Sequence, residues 1–288
     1  LVSGAVDNDN GDLLLLIQSN TSCVLMRVAG TSGVTAFSKS VGAGACSAMC
    51  IMGAQGYVGS RAGLITVDIK NGAVLATTTT HPLSDVSSVA CSPQGQFLAV
   101  ASGPSVWRLT APALGAATWS WTSSNGSVLS LAVDSKGDVY ALLPSSAVRL
   151  GGLDGAALWA SPPLRAANAT GSPPPLLSGQ LSLFQDKALL FALRALSSAG
   201  GGCAATWGQL DALTGRLLLA WDEAAHSAAL GKGTHAVDGQ QVRCTRSLAE
   251  HDTGLIYTAG CLSPSSSSLS SSSSSAEARG AYVRAYQD

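Results

Sequence analysis

The sequence is poor in charged and in aromatic side chains. Charged residues make up 11% of its 288 positions and aromatic residues 5%, whereas about 25% of the residues in typical soluble domains are charged. Sixteen basic and seventeen acidic residues leave a net charge of −1. The chain therefore has neither a basic stripe for phosphate groups nor an acidic one for cations, which disfavours nucleic acid and anionic membranes as partners.

Long apolar runs are missing too, since none approaches the ~20 residues of a membrane-spanning helix. We therefore expect no membrane insertion by this segment. The chain starts at Leu1 without a leader and stops at Asp288, where the repeat described below requires another strand. This pattern predicts that the segment belongs to a longer protein or a multi-component complex.

One short phrase, a turn glycine followed by an apolar strand, recurs about every forty residues. Its five copies are 33–37, 72–76, 115–119, 155–159 and 215–219. A second series of glycines precedes a second strand of each unit: Gly11, Gly56, Gly95, Gly137 and Gly254. With the strands between and before them, each unit has four short strands, which is typical of propeller blades. The fold class predicted is an all-β propeller of six or seven four-stranded antiparallel blades, the last one incomplete.

The repeat occupies nearly the whole chain, which predicts one β-propeller domain over 1–288. The expected blades are 1–41, 42–81, 82–123, 124–162, 163–222 and an incomplete 223–288. A serine tract at 263–275 interrupts the last blade. Such a tract cannot bury apolar surface, so we expect a disordered loop there.

Three segments carry the repeat most fully: LDALTGRLL at 210–218, VDIKNGAVL at 67–75 and LDGAALW at 153–159. They resemble the repeat of the quinoprotein alcohol-dehydrogenase-like β-propellers, whose blades have a strand ending in Ala-Leu-Asp, a Thr-Gly turn and a strand ending in Leu-Trp. The resemblance implies that the aspartate accepts turn hydrogen bonds and that the large apolar residue packs between blades.

The enzymes of that family hold a quinone on a divalent metal, between a tryptophan and adjacent cysteines. No two cysteines adjoin in this sequence. The repeat itself explains the six tryptophans as aromatics that pack between blades: Trp107, Trp119, Trp121, Trp159, Trp207 and Trp221. We therefore predict a non-enzymatic branch of the family, with no catalytic residue and no cofactor.

The segment DNDNGD at 7–12 is the first choice for any metal site, with Asp7, Asp9 and Asp12 as ligands. Its glycine comes one place too early for the usual calcium loop, and a hairpin turn is the preferred explanation. His226, His235 and His251 have spacings that match no compact metal motif, so we expect them in a solvated loop.

Seven cysteines allow at most three disulfides. Cys46 and Cys50 are expected on one strand, about 13 Å apart and beyond bridging distance, so we interpret them as small core residues. Cys203, Cys244 and Cys261 surround one hairpin and predict a disulfide among them.

Three glycosylation sequons begin at Asn20, Asn125 and Asn168. Together with the cysteines they favour a secreted, extracellular or lumenal compartment, with a cytoplasmic complex as the alternative.

The function predicted is a non-catalytic scaffold that contacts other proteins or glycans through loops at the rims of the propeller, around 172–178, 198–205 and 226–241. Two alternatives stay open: a quinone- or metal-dependent oxidoreductase domain, and a glycan-binding or sensor ectodomain.

Overall fold

The structure is a computed structural model of the 288-residue chain. It describes the following residues: 2–7, 9–19, 21–79, 83–112, 114, 117–164, 176–196, 203–222, 236–237, 240–250, 255–264 and 280–287. The chain divides into two compact units, Leu1–Ala160 and Ser161–Asp288. Every regular element described is a β-strand, and each strand pairs antiparallel with its neighbours in chain order.

The first unit contains four sheets of four strands each. Sheet 1 comprises β1 (Ser3–Asp7), β2 (Asp12–Gln18), β3 (Ser22–Val28) and β4 (Thr35–Ala43). Sheet 2 comprises β5 (Cys46–Met52), β6 (Gln55–Ser60), β7 (Gly63–Asp68) and β8 (Val74–Thr78). Sheet 3 comprises β9 (Val86–Cys91), β10 (Phe97–Ser102), β11 (Ser105–Thr110) and β12 (Ala117–Thr122). Sheet 4 comprises β13 (Ser130–Val133), β14 (Val139–Leu142), β15 (Ala147–Leu150) and β16 (Ala157–Ala160).

The second unit contains two sheets. Sheet 5 comprises β17 (Leu176–Phe184), β18 (Ala188–Leu196), β19 (Cys203–Asp211) and β20 (Leu217–Asp222). Sheet 6 comprises β21 (Ala236–Val237), β22 (Gln240–Glu250), β23 (Leu255–Pro264) and β24 (Gly280–Gln287). The strand β22 packs against β17, β18 and β19, so it corresponds to the first strand of the other sheets, and β21 is an additional strand before it. Counted from β22, β24 is the third strand of this blade, and the described residues contain no fourth strand after it.

Successive sheets of the first unit pack face to face, and their first strands β1, β5, β9 and β13 follow one another as neighbours. Alternate residues of a strand point to opposite faces, and in these sheets both faces are apolar. Leu14 and Leu25 of sheet 1 pack with Val58 and Ile65 of sheet 2. Sheets 2 and 3 share a second core, and sheets 3 and 4 a third. Burial of both faces explains why these strands contain few charged residues.

A β-bulge recurs at the end of the pairing between the third and fourth strands. The register shifts beside Arg27, Thr66, Arg108, Arg149 and Gln209 in sheets 1 to 5. One residue of each fourth strand is thereby left without a partner. Recurrence at the same place shows that these five sheets are copies of one structural unit.

The fold class is therefore all-β, built of four-stranded antiparallel sheets in sequence order, as in a multi-blade β-propeller. This prediction is confirmed. The extent of a single domain over 1–288 stays a prediction. The serine tract at 263–275 lies almost wholly outside the described residues. Within those residues, no helix has the length and apolar character that crossing a membrane requires.

Candidate functional site

A tight turn ends the third strand of the repeat, and we call it the glycine turn. Its first residue donates its N–H to the carbonyl five places on, and the glycine four places on donates back. The turns begin at Ala29, Asp68, Gly151 and Asp211, and their glycines are Gly33, Gly72, Gly155 and Gly215. Each of these glycines has a φ near +70°, a conformation that side chains with a Cβ disfavour. This confirms the turn role predicted for these four glycines, while Gly115 lies outside the described residues. In the second series the prediction is wrong for Gly56, which lies inside β6 (Gln55–Ser60) and not before it.

Aromatic side chains from one sheet cover the glycine turn of the next. A methyl group at Gly72 would lie 2.7 Å from the ring of Phe37 in sheet 1, and one at Gly155 would lie 2.7 Å from the ring of Trp119 in sheet 3. The absence of a side chain on the glycine thus lets an aromatic ring pack directly against the backbone. We call this contact the aromatic cap, and it is the inter-blade packing that the family resemblance implies.

Arg27 is buried between sheets 1 and 2 and binds both. Its Nε lies 2.6 Å from Asp12 Oδ2 and its Nη2 lies 3.3 Å from Asp7 Oδ2. Its Nη1 donates a 2.8 Å hydrogen bond to the carbonyl of Ile69, the second residue of the glycine turn in sheet 2. A buried guanidinium needs such partners to offset its desolvation. The two carboxylates hold Arg27 within sheet 1, and its hydrogen bond to Ile69 joins it to sheet 2.

Arg108 repeats this contact between sheets 3 and 4. It donates from Nη1 to the carbonyl of Gly152, which is the second residue of the glycine turn in sheet 4. Trp119 donates from Nε1 to the same carbonyl at 3.0 Å. The guanidinium of Arg108 also lies 4.0 Å from the centre of the Phe97 ring, a cation–π distance.

Arg149 in sheet 4 stands at the position of Arg27 and has equivalent carboxylate partners. Its Nη2 lies 2.7 Å from Asp138 Oδ2 and 3.6 Å from Asp134 Oδ2. Tyr140 donates its hydroxyl to Asp134 Oδ2 at 3.0 Å. Burial, and then the neighbouring Asp134 carboxylate, raise the pKa of the Tyr140 phenol, so it stays protonated.

Asp12 holds its charge because two donors bind it. The backbone N–H of Gly30 donates to Oδ1 at 3.0 Å and the Arg27 guanidinium donates to Oδ2. The Gly30 amide first, and Arg27 second, lower the pKa of Asp12 below its usual value. Asp138 accepts the same two kinds of hydrogen bond: the N–H of Gly152 donates to its Oδ1 at 2.8 Å, and the Arg149 guanidinium donates to its Oδ2.

These contacts bear on the candidate metal ligands Asp7, Asp9 and Asp12. Two of the three carboxylates face Arg27, a cation that already supplies their counter-charge, and Asp7 Oδ1 accepts the backbone N–H of Asp9. Within the described residues, no group of three or more His, Cys, Asp or Glu side chains is placed to hold a metal ion. The arrangement supports a role in joining sheets.

The interpretation of Cys46 and Cys50 as unbridged core residues is wrong. The two cysteines share β5 and do not bond to each other, but each forms a disulfide with a neighbouring sheet: Cys46 with Cys23 of β3, and Cys50 with Cys91 of β9. The Cα–Cα separations are 5.7 and 5.6 Å, within the usual bridging range. The first strand of sheet 2 is thus covalently linked to the sheets on both sides.

Other predicted residues are described only in part. Asn125 is exposed on the bend after β12, and its side-chain oxygen accepts a 3.3 Å hydrogen bond from Ser124. Asn20 and Asn168 lie outside the described residues. In sheet 6 the backbone register pairs Cys244 with Cys261, whereas the side chains of these two residues and of Cys203 lie outside the described part. The disulfide among them stays a prediction.

The recurrent bulge holds a leucine out to solvent in three sheets. The unpaired residues of the fourth strands are Ala36, Leu75, Thr118, Leu158 and Leu218. The three leucines are 53%, 54% and 45% exposed. The contact surfaces predicted from the sequence are loops that lie mostly outside the described residues, and these leucines are not among the predicted residues.

No protein-family model and no curated protein sequence matches this chain. Similar solved structures include a protein of unknown function from Bacteroides caccae, with a TM-score of 0.56 and 11% identity over 86% of this chain and 82% of that chain. Hydrazine synthase from Kuenenia stuttgartiensis has a TM-score of 0.54 and 10% identity over 82% of this chain. The match spans about three fifths of that protein, 61%. BamB from Moraxella catarrhalis has a TM-score of 0.47 and 15% identity over 75% of this chain and 59% of that chain. The first two similarities concern the fold.

Proposed function

We propose that this protein is a non-catalytic β-propeller module that binds other proteins within a larger assembly. The observation that carries this proposal is the leucine at the same bulge in three sheets, Leu75, Leu158 and Leu218. A bulge re-aims a side chain, and here it turns an apolar side chain away from the core of its own sheet.

The chemistry of the interior supports a binding role over a catalytic one. The buried charges of the described residues are Asp7, Arg27, Asp134 and Arg149. All four belong to the two ion-pair clusters that join strands and sheets. Catalytic groups need a reactive atom within reach of a substrate, whereas these groups face one another.

An oxidising compartment is part of the proposal. Two disulfides form in the described part of the chain, and disulfides persist in secreted or lumenal proteins rather than in the cytosol. The exposed Asn125 of the sequon at 125–127 would then be a glycosylation site. Loss of mass from the secreted protein on treatment with peptide N-glycosidase, reduced by the mass of one glycan in Asn125→Gln, tests this part.

The test of function is co-purification from the source cells of the wild-type chain and of the double variant Leu75→Ser/Leu158→Ser. Central apolar contacts contribute about 2 kcal/mol each. The affinity of the variant for its partner proteins should therefore fall by roughly 30-fold or more for each leucine replaced. Thr118→Ser, at the same bulge in sheet 3, is the matched control and should retain them. Equal recovery with the double variant would contradict the proposal. A bound chromophore in the ultraviolet and visible spectrum of the purified protein would favour the oxidoreductase alternative.

A further inference from the structure

One face of sheet 1 is apolar and open to solvent. We call it the open face, and its members lie opposite one another in register: Val6 pairs with Leu13, Leu13 with Val28, and Leu15 with Met26. Val6 is 54% and Leu13 is 37% exposed, and the other three are half-buried. The opposite face of this sheet carries Leu14 and Leu25, which pack on sheet 2.

The same positions are covered in the other sheets of the first unit. Val67 of sheet 2 and Leu150 of sheet 4 stand where Val28 stands, and both are fully buried. Val139 of sheet 4 stands where Leu13 stands and is also fully buried. Each is covered by the preceding sheet. The open face is therefore the equivalent structural surface, and no sheet described in the first unit covers it.

The glycine turn of sheet 1 is open in the same way. Gly72 and Gly155 are buried under the aromatic caps of Phe37 and Trp119, but Gly33 is exposed, and a methyl group there would have nothing within 4 Å. Gly30, the second residue of this turn, is exposed as well.

Two equivalents of Gly30 receive an arginine from the preceding sheet, whereas sheet 2 has Thr66 at the arginine's position. The carbonyl of Ile69 accepts from Arg27, and the carbonyl of Gly152 accepts from Arg108. Sheet 1 therefore presents three separate elements of one interface: an apolar face, an uncapped glycine and a carbonyl at the arginine-binding position.

We propose that the open face binds a four-stranded antiparallel sheet of this same repeat type. That sheet places a large aromatic side chain of its fourth strand on Gly33 and an arginine of its third strand on the carbonyl of Gly30. An apolar helix could cover Val6 and Leu13, but it would not supply both a ring and a guanidinium at the spacing seen at the turns of sheets 2 and 4. The inference goes beyond the proposed function, since it concerns a different surface from the bulge leucines.

Sheet 3 is the best template for the missing partner. The sheet that it covers, sheet 4, has glycines at both turn positions, Gly152 and Gly155, as sheet 1 has at Gly30 and Gly33. Sheet 3 supplies both Arg108 and Trp119 to that turn. A copy of sheet 3 therefore has the chemistry that the open face lacks.

The first experiment adds that copy. Residues 86–129, which are sheet 3 with its natural connection to the next first strand, are fused before Ser3 of the full chain. The fusion should raise Tm by about 3 °C or more. Arg108→Ala and Trp119→Ala, introduced only in the added copy, should abolish the gain. A gain that survives these substitutions, or no gain at all, overturns the proposal.

The second experiment does not depend on the folding of an added sheet. Photoreactive benzoylphenylalanine replaces Leu13 in the full chain, which is expressed in its source cells, and the cross-linked peptides are mapped. Lys39, exposed on β4 of the same sheet, is the control position. Cross-links from position 13 into a four-stranded antiparallel sheet with an aromatic residue in its fourth strand support the proposal. Cross-links into a helix, into the open face of a second copy, or no more abundant than those from position 39 overturn it.

Discussion

The indole nitrogen of Trp119 donates a 3.0 Å hydrogen bond to the carbonyl of Gly152, which belongs to the following sheet. The same carbonyl accepts from Arg108. Between sheets 1 and 2, Phe37 and Arg27 make the corresponding contacts on Gly72 and Ile69. An aromatic ring and a guanidinium therefore join sheet 1 to sheet 2 and sheet 3 to sheet 4 at the same turn, whereas sheet 2 has Thr66 and Ala76 at these two positions.

Replacement of Trp119 should be among the most destabilising single changes in the described part of the chain. Trp119→Ala removes a buried ring and a hydrogen bond and should lower the free energy of unfolding by about 3–5 kcal/mol. Trp119→Phe keeps most of the ring and should cost about 1–2 kcal/mol, because the Gly152 carbonyl loses a donor. Urea unfolding followed by circular dichroism measures both. Ser120→Ala, at the exposed next position, should change stability by less than about 0.5 kcal/mol.

Arg27→Met should destabilise the protein by about 3–5 kcal/mol, because it leaves the Asp7 and Asp12 carboxylates without their cation. The double variant Arg27→Met/Asp7→Asn should recover part of this loss, since one of the unpaired charges is then removed. Arg61→Met is the control. Arg61 and Asp85 form an exposed ion pair at 4.0 Å, which should contribute little. An Arg27→Met protein as stable as the Arg61→Met protein would refute the role assigned to Arg27.

Asp12 should contribute stability that depends on pH. Its pKa is lower in the folded chain than in the unfolded chain, so the unfolded state binds protons first as pH falls. The contribution is present above the unfolded value of about 3.9 and is lost as pH falls through the folded pKa. Asp12→Asn should therefore be less stable than wild type at pH 7, and the difference should shrink as pH falls below the unfolded value. Unfolding free energies measured from pH 7 downward test this, with Asp85→Asn, expected to be near neutral, as the control.

The two disulfides should each contribute about 3–4 kcal/mol by restricting the unfolded chain. They close segments of 23 and 41 residues in sequence separation. Cys50→Ser and Cys23→Ser should each lower the urea midpoint. In unreduced wild-type protein, iodoacetamide under denaturing conditions should leave Cys23, Cys46, Cys50 and Cys91 unmodified. Alkylation of these four cysteines before reduction would refute both bridges.

The sequence was sufficient to predict the blades because their signals are local. A turn that needs a glycine with positive φ, followed by an apolar strand, is visible in any short segment such as 72–76 or 155–159. The large apolar residue four places after the glycine predicts an inter-blade contact, and Phe37 and Trp119 make it.

The contacts between sheets were harder to predict, because they depend on register across the whole repeat. Spacing along one strand excludes a bond between Cys46 and Cys50, but it carries no information about Cys23, the partner of Cys46 on a different strand. The arginine clusters were also missed. The sequence does contain a signal for them: Gly-Asp is followed later by Arg-x-x-Gly, first at Gly11 and Gly30 and again at Gly137 and Gly152. The two parts of this motif lie on different strands, so their contact can be predicted only when the pairing of β2 with β3 is known.

The central claim is that an aromatic cap joins sheets 1 and 2, and sheets 3 and 4, at the glycine turn and that the turn of sheet 1 has none. The most direct test compares Gly155→Ala with Gly33→Ala, because the two glycines have nearly the same φ, +71° and +67°. Both variants should lose about 1 kcal/mol from backbone strain, and Gly155→Ala should lose about 1–3 kcal/mol more, since its methyl group meets the Trp119 ring. Equal losses of unfolding free energy in the two variants would contradict the account.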